Sequence, residues 1–114
     1  MNAPPVQQLS ADLCVAPQLD ASAMAWAAEA GFKSVVNNRP DFEGGPDQPT
    51  HATIEAAAMA AGLRYAFLPV HPAIQSPEDI AKFAALLATL PKPILAFCRT
   101  GTRSGKLYRA AQSA

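Results

Sequence analysis

One hundred and fourteen residues, half of them apolar, suffice for one domain with a core of its own. Nine basic residues balance nine acidic ones, so no global charge suits the chain to nucleic acid or to an anionic membrane surface. Two cysteines make no disulfide framework, the Ala-rich segments are too interrupted to cross a bilayer, and the amino-terminal residues carry neither a basic start nor an apolar export core, so a cytoplasmic domain is expected.

Residues 1–12, rich in Pro, Gln and Asn, read as a flexible lead-in. Leu13-Cys14-Val15-Ala16 is a short apolar strand, and a helix capped by Asp20 or Ser22 runs from there to Ala30, with Gly31 as its stop. Phe32 to Asn37 follows as a buried strand around Val35 and Val36. A polar loop rich in Pro and Gly, residues 38–49, is long enough to reach across the face of a small domain. Thr50 or Thr53 opens a second helix that Gly62 closes, and Arg64 to Val70 reads as a third strand. Ser76-Pro77-Glu78-Asp79 combines a hydroxyl cap, proline at the first helical position and acids in the first turn. Ile80, Phe83, Ala84, Leu87 and Leu90 then recur at helical spacing, one apolar face for a sheet. Ile94 to Phe97 is a fourth strand, and Ser104 to Ala111 a last helix. Strand and helix alternate throughout, which predicts an α/β fold with a largely parallel sheet and helices on both faces.

Cys98-Arg99-Thr100-Gly101-Thr102-Arg103-Ser104 lies between the fourth strand and the last helix. A strand that delivers a cysteine into a glycine-containing turn at a helix start builds an anion pocket, because backbone N–H groups converge there and the helix start adds partial positive charge. Arg99 and Arg103 add full charges that can fork around a tetrahedral anion, and the same field favours thiolate over thiol at Cys98. A buried structural cysteine beside a solvated basic turn is the plain alternative. It leaves two arginines, two threonines and a glycine without a use, whereas a thiolate nucleophile uses each of them. Cys98 and Arg103 are therefore the candidate catalytic residues, with Arg99, Thr100, Gly101, Thr102 and Ser104 as the anion-binding loop. Ser104 serves equally as a cap for the last helix.

Ligands of open α/β sheets collect beyond the carboxyl ends of the strands, where Cys98 falls. The loops that open on that edge bring Asn38, Arg39, Asp41 and His71, of which Arg39, Asp41 and His71 are possible accessory residues. Each has a structural alternative: Arg39 and Asp41 can simply turn the chain around Pro40, and His71 can sit at the surface. Cys14, between Leu13 and Val15, reads as a strand cysteine, His51 as a solvated helix residue, and Trp26 as packing a helix on the sheet. No cluster has metal-ligand spacing, and no cofactor is expected.

Through Val36-Asn37-Asn38-Arg39-Pro40-Asp41, Leu68-Pro69-Val70 and Phe97 to Ser104, the chain resembles, over nearly its whole length, the phosphatase-like domain of beta-lactamase-hydrolase-like proteins. The resemblance implies a single-domain fold like that of the dual-specificity cysteine phosphatases, with residues 13–114 as the phosphatase-like or rhodanese-like catalytic domain. Some members, fused to persulfide dioxygenases, are regarded as rhodanese-like sulfurtransferases, so the reaction stays open.

Two features bear on that choice. Only Arg99 to Thr102 separate Cys98 from Arg103, one residue fewer than in the cysteine-phosphatase loop and similar to the rhodanese pattern Cys-Arg-x-Gly-x-Arg. A smaller ring of amides suits a persulfide or thiosulfate better than a phosphoryl group with its oxygens spread. Phosphatases of this fold also keep an aspartate as proton donor in the loop that here reads His71-Pro72-Ala73-Ile74-Gln75, whereas sulfite departs from thiosulfate without such help. Both features favour a sulfurtransferase, in which Cys98 takes sulfur from thiosulfate or a persulfide and passes it to a small thiol or cyanide. The alternative is a phosphatase acting on a phosphate ester through a cysteinyl phosphate, with Asp41 or His71 as acid. A third reading is a non-catalytic anion-binding module.

Overall fold

The computed structural model describes residues 4–113. Its strands are β1 (Gln7–Gln8), β2 (Leu13–Ala16), β3 (Ser34–Asn37), β4 (Arg64–Phe67) and β5 (Ile94–Phe97), and its helices α1 (Ser22–Glu29), α2 (His51–Ala60), α3 (Pro77–Thr89) and α4 (Thr102–Ser113). The five strands form one sheet in the order β1-β2-β5-β3-β4. β2, β5, β3 and β4 run parallel, and β1 is antiparallel to β2.

Alternation along the strands sends side chains to two separate cores, as a period of two requires. Ala16, Val35, Leu95 and Phe97 face α1 and α2, where they meet Leu19, Met24, Ala27, Ile54 and Ala58. Leu13, Val15, Val36, Ile94 and Ala96 face α3 and α4, against Phe83 and Leu107. Helices thus cover both faces. The central strands are buried on both sides, which is why β5 reads as a continuous apolar run and β3 places Val35 and Val36 side by side instead of alternating with polar residues. Trp26 packs on Phe32 beneath α1, ring centroids 6.0 Å apart.

The helix starts follow the local chemistry. Thr50 caps α2, accepting from the Thr53 N–H. Ser76 and Asp79 form a reciprocal capping box at α3, each side chain accepting the other's backbone N–H at 3.0 Å. At α1 the Asp20 carboxylate accepts from the Ser22 hydroxyl at 2.6 Å and the Ala23 N–H at 3.0 Å. α1 and α2 stop at Gly31 and Gly62.

Residues 7–10 differ from the expectation of a flexible lead-in over 1–12, of which 1–3 lie outside the described residues. Gln7 and Gln8 pair with Val15 and Cys14, and the N–H groups of Leu9 and Ser10 both donate to Leu13 O, closing a hairpin. The pairing satisfies backbone groups along the outer edge of β2 that would otherwise be open. Two exposed glutamines carry no apolar alternation, so composition could not signal the strand. No helix among the described residues is long and apolar enough to cross a membrane.

Candidate active site

The parallel register brings four strand ends to one edge. Asn37 lies beside both Phe97 and Phe67, and Ala16 lies beside Phe97, so the chain leaves β2, β3, β4 and β5 at the same level. Asn38 N–H donates to Phe97 O at 2.9 Å and Cys98 N–H to Ala16 O at 3.3 Å, extending the ladder one step into the loops. Cys98 therefore emerges at the carboxyl edge on the central strand, with a neighbour loop on each side.

From Cys98 the chain folds back on itself. The Gly101 N–H donates to Cys98 Sγ at 3.1 Å, and Gly101 adopts φ +93° with the Ala16 backbone 3.4 Å from where a Cβ would stand. Both the left-handed backbone and the close approach call for glycine. α4 begins at Thr102, two residues before the expected Ser104, because Gly105 N–H already bonds Gly101 O at 3.0 Å. Arg103 and Ser104 are thereby helix residues, buried and facing inward.

Cys98 is 1% exposed. Burial, the largest single influence, pushes its thiol up, but hydrogen bonds from the backbone of Ser104 and Thr100, the Ser104 hydroxyl and the backbone of Gly101 outweigh it and hold the thiol below its ordinary value. The lowering comes from donors aimed at sulfur. The sequence had pointed to the charges of Arg99 and Arg103, whereas the largest lowering influences are these hydrogen bonds.

Arg103 is held on three sides. Nη1 donates to Val70 O at 3.2 Å and Asn38 O at 3.4 Å, Nη2 forms a 2.9 Å ion pair with Glu43 Oε1, and Nε is buried without a partner. Ser104 is no helix cap: its hydroxyl donates to Asn38 Oδ1 at 2.8 Å, while the Asn38 amide donates to Leu68 O at 3.1 Å. Asn38 thus ties the loops after β3 and β4 to α4, all through buried polar contacts.

A cavity of about 270 Å³ opens above Cys98, lined by Arg99, Thr100, Thr102 and Arg103 from the loop and α4. Glu43, Lys106 and Pro72 complete it. The Thr100 hydroxyl donates to Thr102 Oγ1 at 3.1 Å across its rim. Every expected loop residue is therefore near Cys98, with Gly101 and Ser104 beneath it.

The accessory residues fare differently. Arg39 is buried but lines no part of the cavity, because its guanidinium is engaged by Glu43 Oε1 at 3.1 Å and Gln18 Oε1 at 3.1 Å. Asp41 is turned away as well. Its carboxylate accepts the His51 N–H at 2.8 Å and stands 4.0 Å from His51 Nε2, which anchors the start of α2. His71 is exposed, its Nδ1 accepting the Ala73 N–H at 3.0 Å, and only Pro72 of its loop reaches the cavity. Neither expected acid stands beside Cys98. His51, expected in solvent, stacks on Phe67 at 4.0 Å because Asp41 draws the helix start onto the sheet edge. Cys14 is half-buried beside the α1/α2 core, and burial raises its thiol.

Glu43 is the residue that sequence reasoning missed. Gln48 folds the 38–49 loop inward, its amide donating to Pro40 O at 2.8 Å and its oxygen accepting the Gly44 N–H at 2.7 Å. That closure carries Glu43 over the loop, where Oε1 bridges Arg39 and Arg103 and Oε2 is buried without a partner. Burial is again the largest single influence and pushes the Glu43 carboxyl up. Hydrogen bonds and charge from Arg103 and Arg39 prevail and keep it below its ordinary value.

The family model described as the phosphatase-like domain of beta-lactamase hydrolase-like protein matches residues 6–114. The chain belongs to this family. It is 42% identical over 78 residues to the beta-lactamase hydrolase-like protein of Agrobacterium fabrum, an alignment covering 68% of the chain and 18% of that protein. The chain thus spans about a fifth of the length of such curated relatives. A solved structure of a candidate phosphatase from Neisseria meningitidis Z2491 superposes with a TM-score of 0.84 at 33% identity, over 94% of this chain and 78% of that one. TpbA of P. aeruginosa, solved with phosphotyrosine, shares the fold at a TM-score of 0.67 and 19% identity, over 90% of this chain and 58% of that one. The architecture is phosphatase-like, as the resemblance implied, and the match begins within the segment read as lead-in.

Proposed function

We propose that the chain is a cysteine-dependent hydrolase of phosphate monoesters working through a cysteinyl phosphate. The observation that carries the reading is one cavity in which a thiol lowered by loop donors shares its walls with a buried arginine fork. Family membership and the phosphatase-like neighbours support it. The Cys98 thiolate attacks phosphorus, the ester P–O bond breaks, and the departing oxygen takes a proton. Arg103 offsets charge on the transferring group, and water then releases phosphate from Cys98. The fork favours a small anionic substrate, and phosphotyrosine bound to a neighbour of this fold makes an aryl phosphate a reasonable probe. Cys14 and Cys98 are both free thiols, which suits a reducing compartment, and a cytoplasmic location is part of the proposal.

The preference for sulfur transfer gives way on this evidence, because the family and the solved neighbours are phosphatase-like and Glu43 brings a carboxylate to the cavity. Its one support is the spacing of Cys98 and Arg103, with four residues between them. A small thiol acceptor belongs to that second reading alone. Aryl phosphate turnover by the unsubstituted protein and by Cys98→Ser tests the proposal. Turnover lost in Cys98→Ser with the fold intact supports it, and turnover equal in both proteins refutes it.

A further inference from the structure

Glu43 stands where an incoming anion has to bind. Its Oε1 neutralises Arg103 Nη2 and Arg39 Nε, while its own Oε2 and the Nε of Arg103 are both buried and unpartnered. One orphan acceptor and one orphan donor thus belong to two residues that line the cavity and are paired to each other. Arg103 cannot swing out to meet a ligand, because Nη1 is tied to Asn38 O and Val70 O. An oxyanion must come to the Nε and Nη2 edge, the edge that takes a tetrahedral anion bidentately. There it confronts a carboxylate that the two arginines hold ionised.

We infer that Glu43 takes up one proton when a doubly charged tetrahedral oxyanion occupies the Arg103 fork, and then stands as proton donor to the group that leaves Cys98's substrate. The inference deepens the phosphatase reading and rests on it only in requiring that the cavity admit an oxyanion. A dianion and a carboxylate crowded onto the same guanidinium repel, so binding of the dianion favours a proton on the weaker holder of charge. Of the two arginines that now keep Glu43 ionised, Arg103 is the one the ligand takes over. Oε2, lacking any donor, is the atom free to receive the proton.

The other charged groups facing the site fit this account. Arg39 approaches Glu43 from its own loop and Arg103 from α4, while Arg99 and Lys106 line the cavity from exposed positions and Cys98 lies at its floor. From β2 the neighbouring loop contributes Gln18, which is neutral, and the loop after β4 contributes Pro72. His51 and His71 line no part of the cavity. During phosphoryl transfer the S–P bond forms at Cys98, the P–O bond breaks with its electron pair moving to the departing oxygen, and the Glu43 proton goes to that oxygen. Glu43, ionised again, accepts a proton from the water that cleaves the cysteinyl phosphate.

Sulfate is the probe, since it stays doubly charged and cannot bring a proton, and Cys98→Ser removes the one other group at the site whose titration could mimic the effect. Titration calorimetry in two buffers of different ionisation heat, at about pH 5.5, reads protons taken up per sulfate bound. The expected value is close to one, with affinity falling about tenfold per pH unit above that pH. Adding Glu43→Gln should abolish both the uptake and the slope. Sulfate bound without proton uptake, or with equal uptake in the Glu43→Gln protein, overturns the inference and leaves the anion pocket standing. If Glu43→Gln does not fold, uptake and slope in the Cys98→Ser protein decide alone, since zero uptake there is equally fatal. Failure of sulfate to bind the Cys98→Ser protein, with no sulfate protection of Cys98 against alkylation in the unsubstituted protein, removes the anion pocket and the phosphatase reading with it.

Discussion

Replacing Ser104 by alanine tests the polar scaffold beneath Cys98 from two directions. The hydroxyl donates to Asn38 Oδ1 at 2.8 Å and is also one of the donors that lower the Cys98 thiol, yet it has a single proton to give. With the hydroxyl gone, Asn38 Oδ1 is left buried and without its donor, a loss of about 1–3 kcal/mol for a desolvated acceptor. The Asn38 amide keeps its bond to Leu68 O and the Ser104 backbone N–H still points at sulfur, so the fold survives and the thiol is only partly released. Urea denaturation should show a lower midpoint at unchanged slope, and alkylation rate against pH should show the Cys98 inflection moving up toward an ordinary thiol. The two readouts divide one proton: the more it serves Asn38, the larger the stability loss and the smaller the thiol shift. A Ser104→Ala protein with both midpoint and inflection unmoved would refute the account of this site.

Other perturbations should separate fold from function. Burial and the Asn37 hydrogen bond act oppositely on Tyr65, burial prevails, and the phenol is pushed up to about 12. The folded state therefore holds its proton more tightly than the unfolded one, and the Tyr65 contribution to stability is complete below pH 10 and is lost as the pH rises from 10 to about 12, which phenolate absorbance will show. Phe83→Ala, at a fully buried position on α3, should cost about 3–5 kcal/mol while leaving the Cys98 alkylation inflection in place. Movement of that inflection would mean that the α3 packing reaches the loop. A Cβ at Gly44 runs into Nη2 of the Arg39 guanidinium, which Glu43 and Gln18 hold through Nε and Nη1, so Gly44→Ala should disrupt the Glu43 bridge and weaken sulfate protection of Cys98 with little change in thermal midpoint. Unchanged protection would show that Arg39 can shift without moving Glu43.

Most of this architecture follows from local signals that no tertiary contact overrides. Ser76-Pro77-Glu78-Asp79 marks the start of α3 because a capping box needs nothing beyond four residues, and Cys98 falls at the sheet edge because Ile94 to Phe97 is a buried run that has to end there. What escaped the sequence depends on partners distant along the chain. β1 exists because the edge of β2 is open, and two glutamines do not announce that. Ser104 looked like a cap because its partner, Asn38, is 66 residues away. Asp41 and His71 were sought as acids because their residue types suit proton transfer, while the carboxylate that reaches the cavity is Glu43, placed by the inward fold of a loop around Gln48. The run Glu43-Gly44-Gly45 marks a turn in the sequence, but the Arg39 side chain packed against Gly44 is a contact that only the fold makes.

Whether Cys98 carries a phosphoryl group decides the central claim. Rapid acid quench of the unsubstituted protein mixed with an aryl phosphate, followed by intact-protein and peptide mass analysis, reads the adduct directly, and a parallel quench after thiosulfate reads the competing chemistry. The account predicts a phosphorylated Cys98 that decays as phosphate is released, with no lasting persulfide. A persulfide accumulating on Cys98 from thiosulfate, with no phosphoryl adduct and no aryl phosphate turnover, would contradict it and assign the six-residue loop to sulfur transfer.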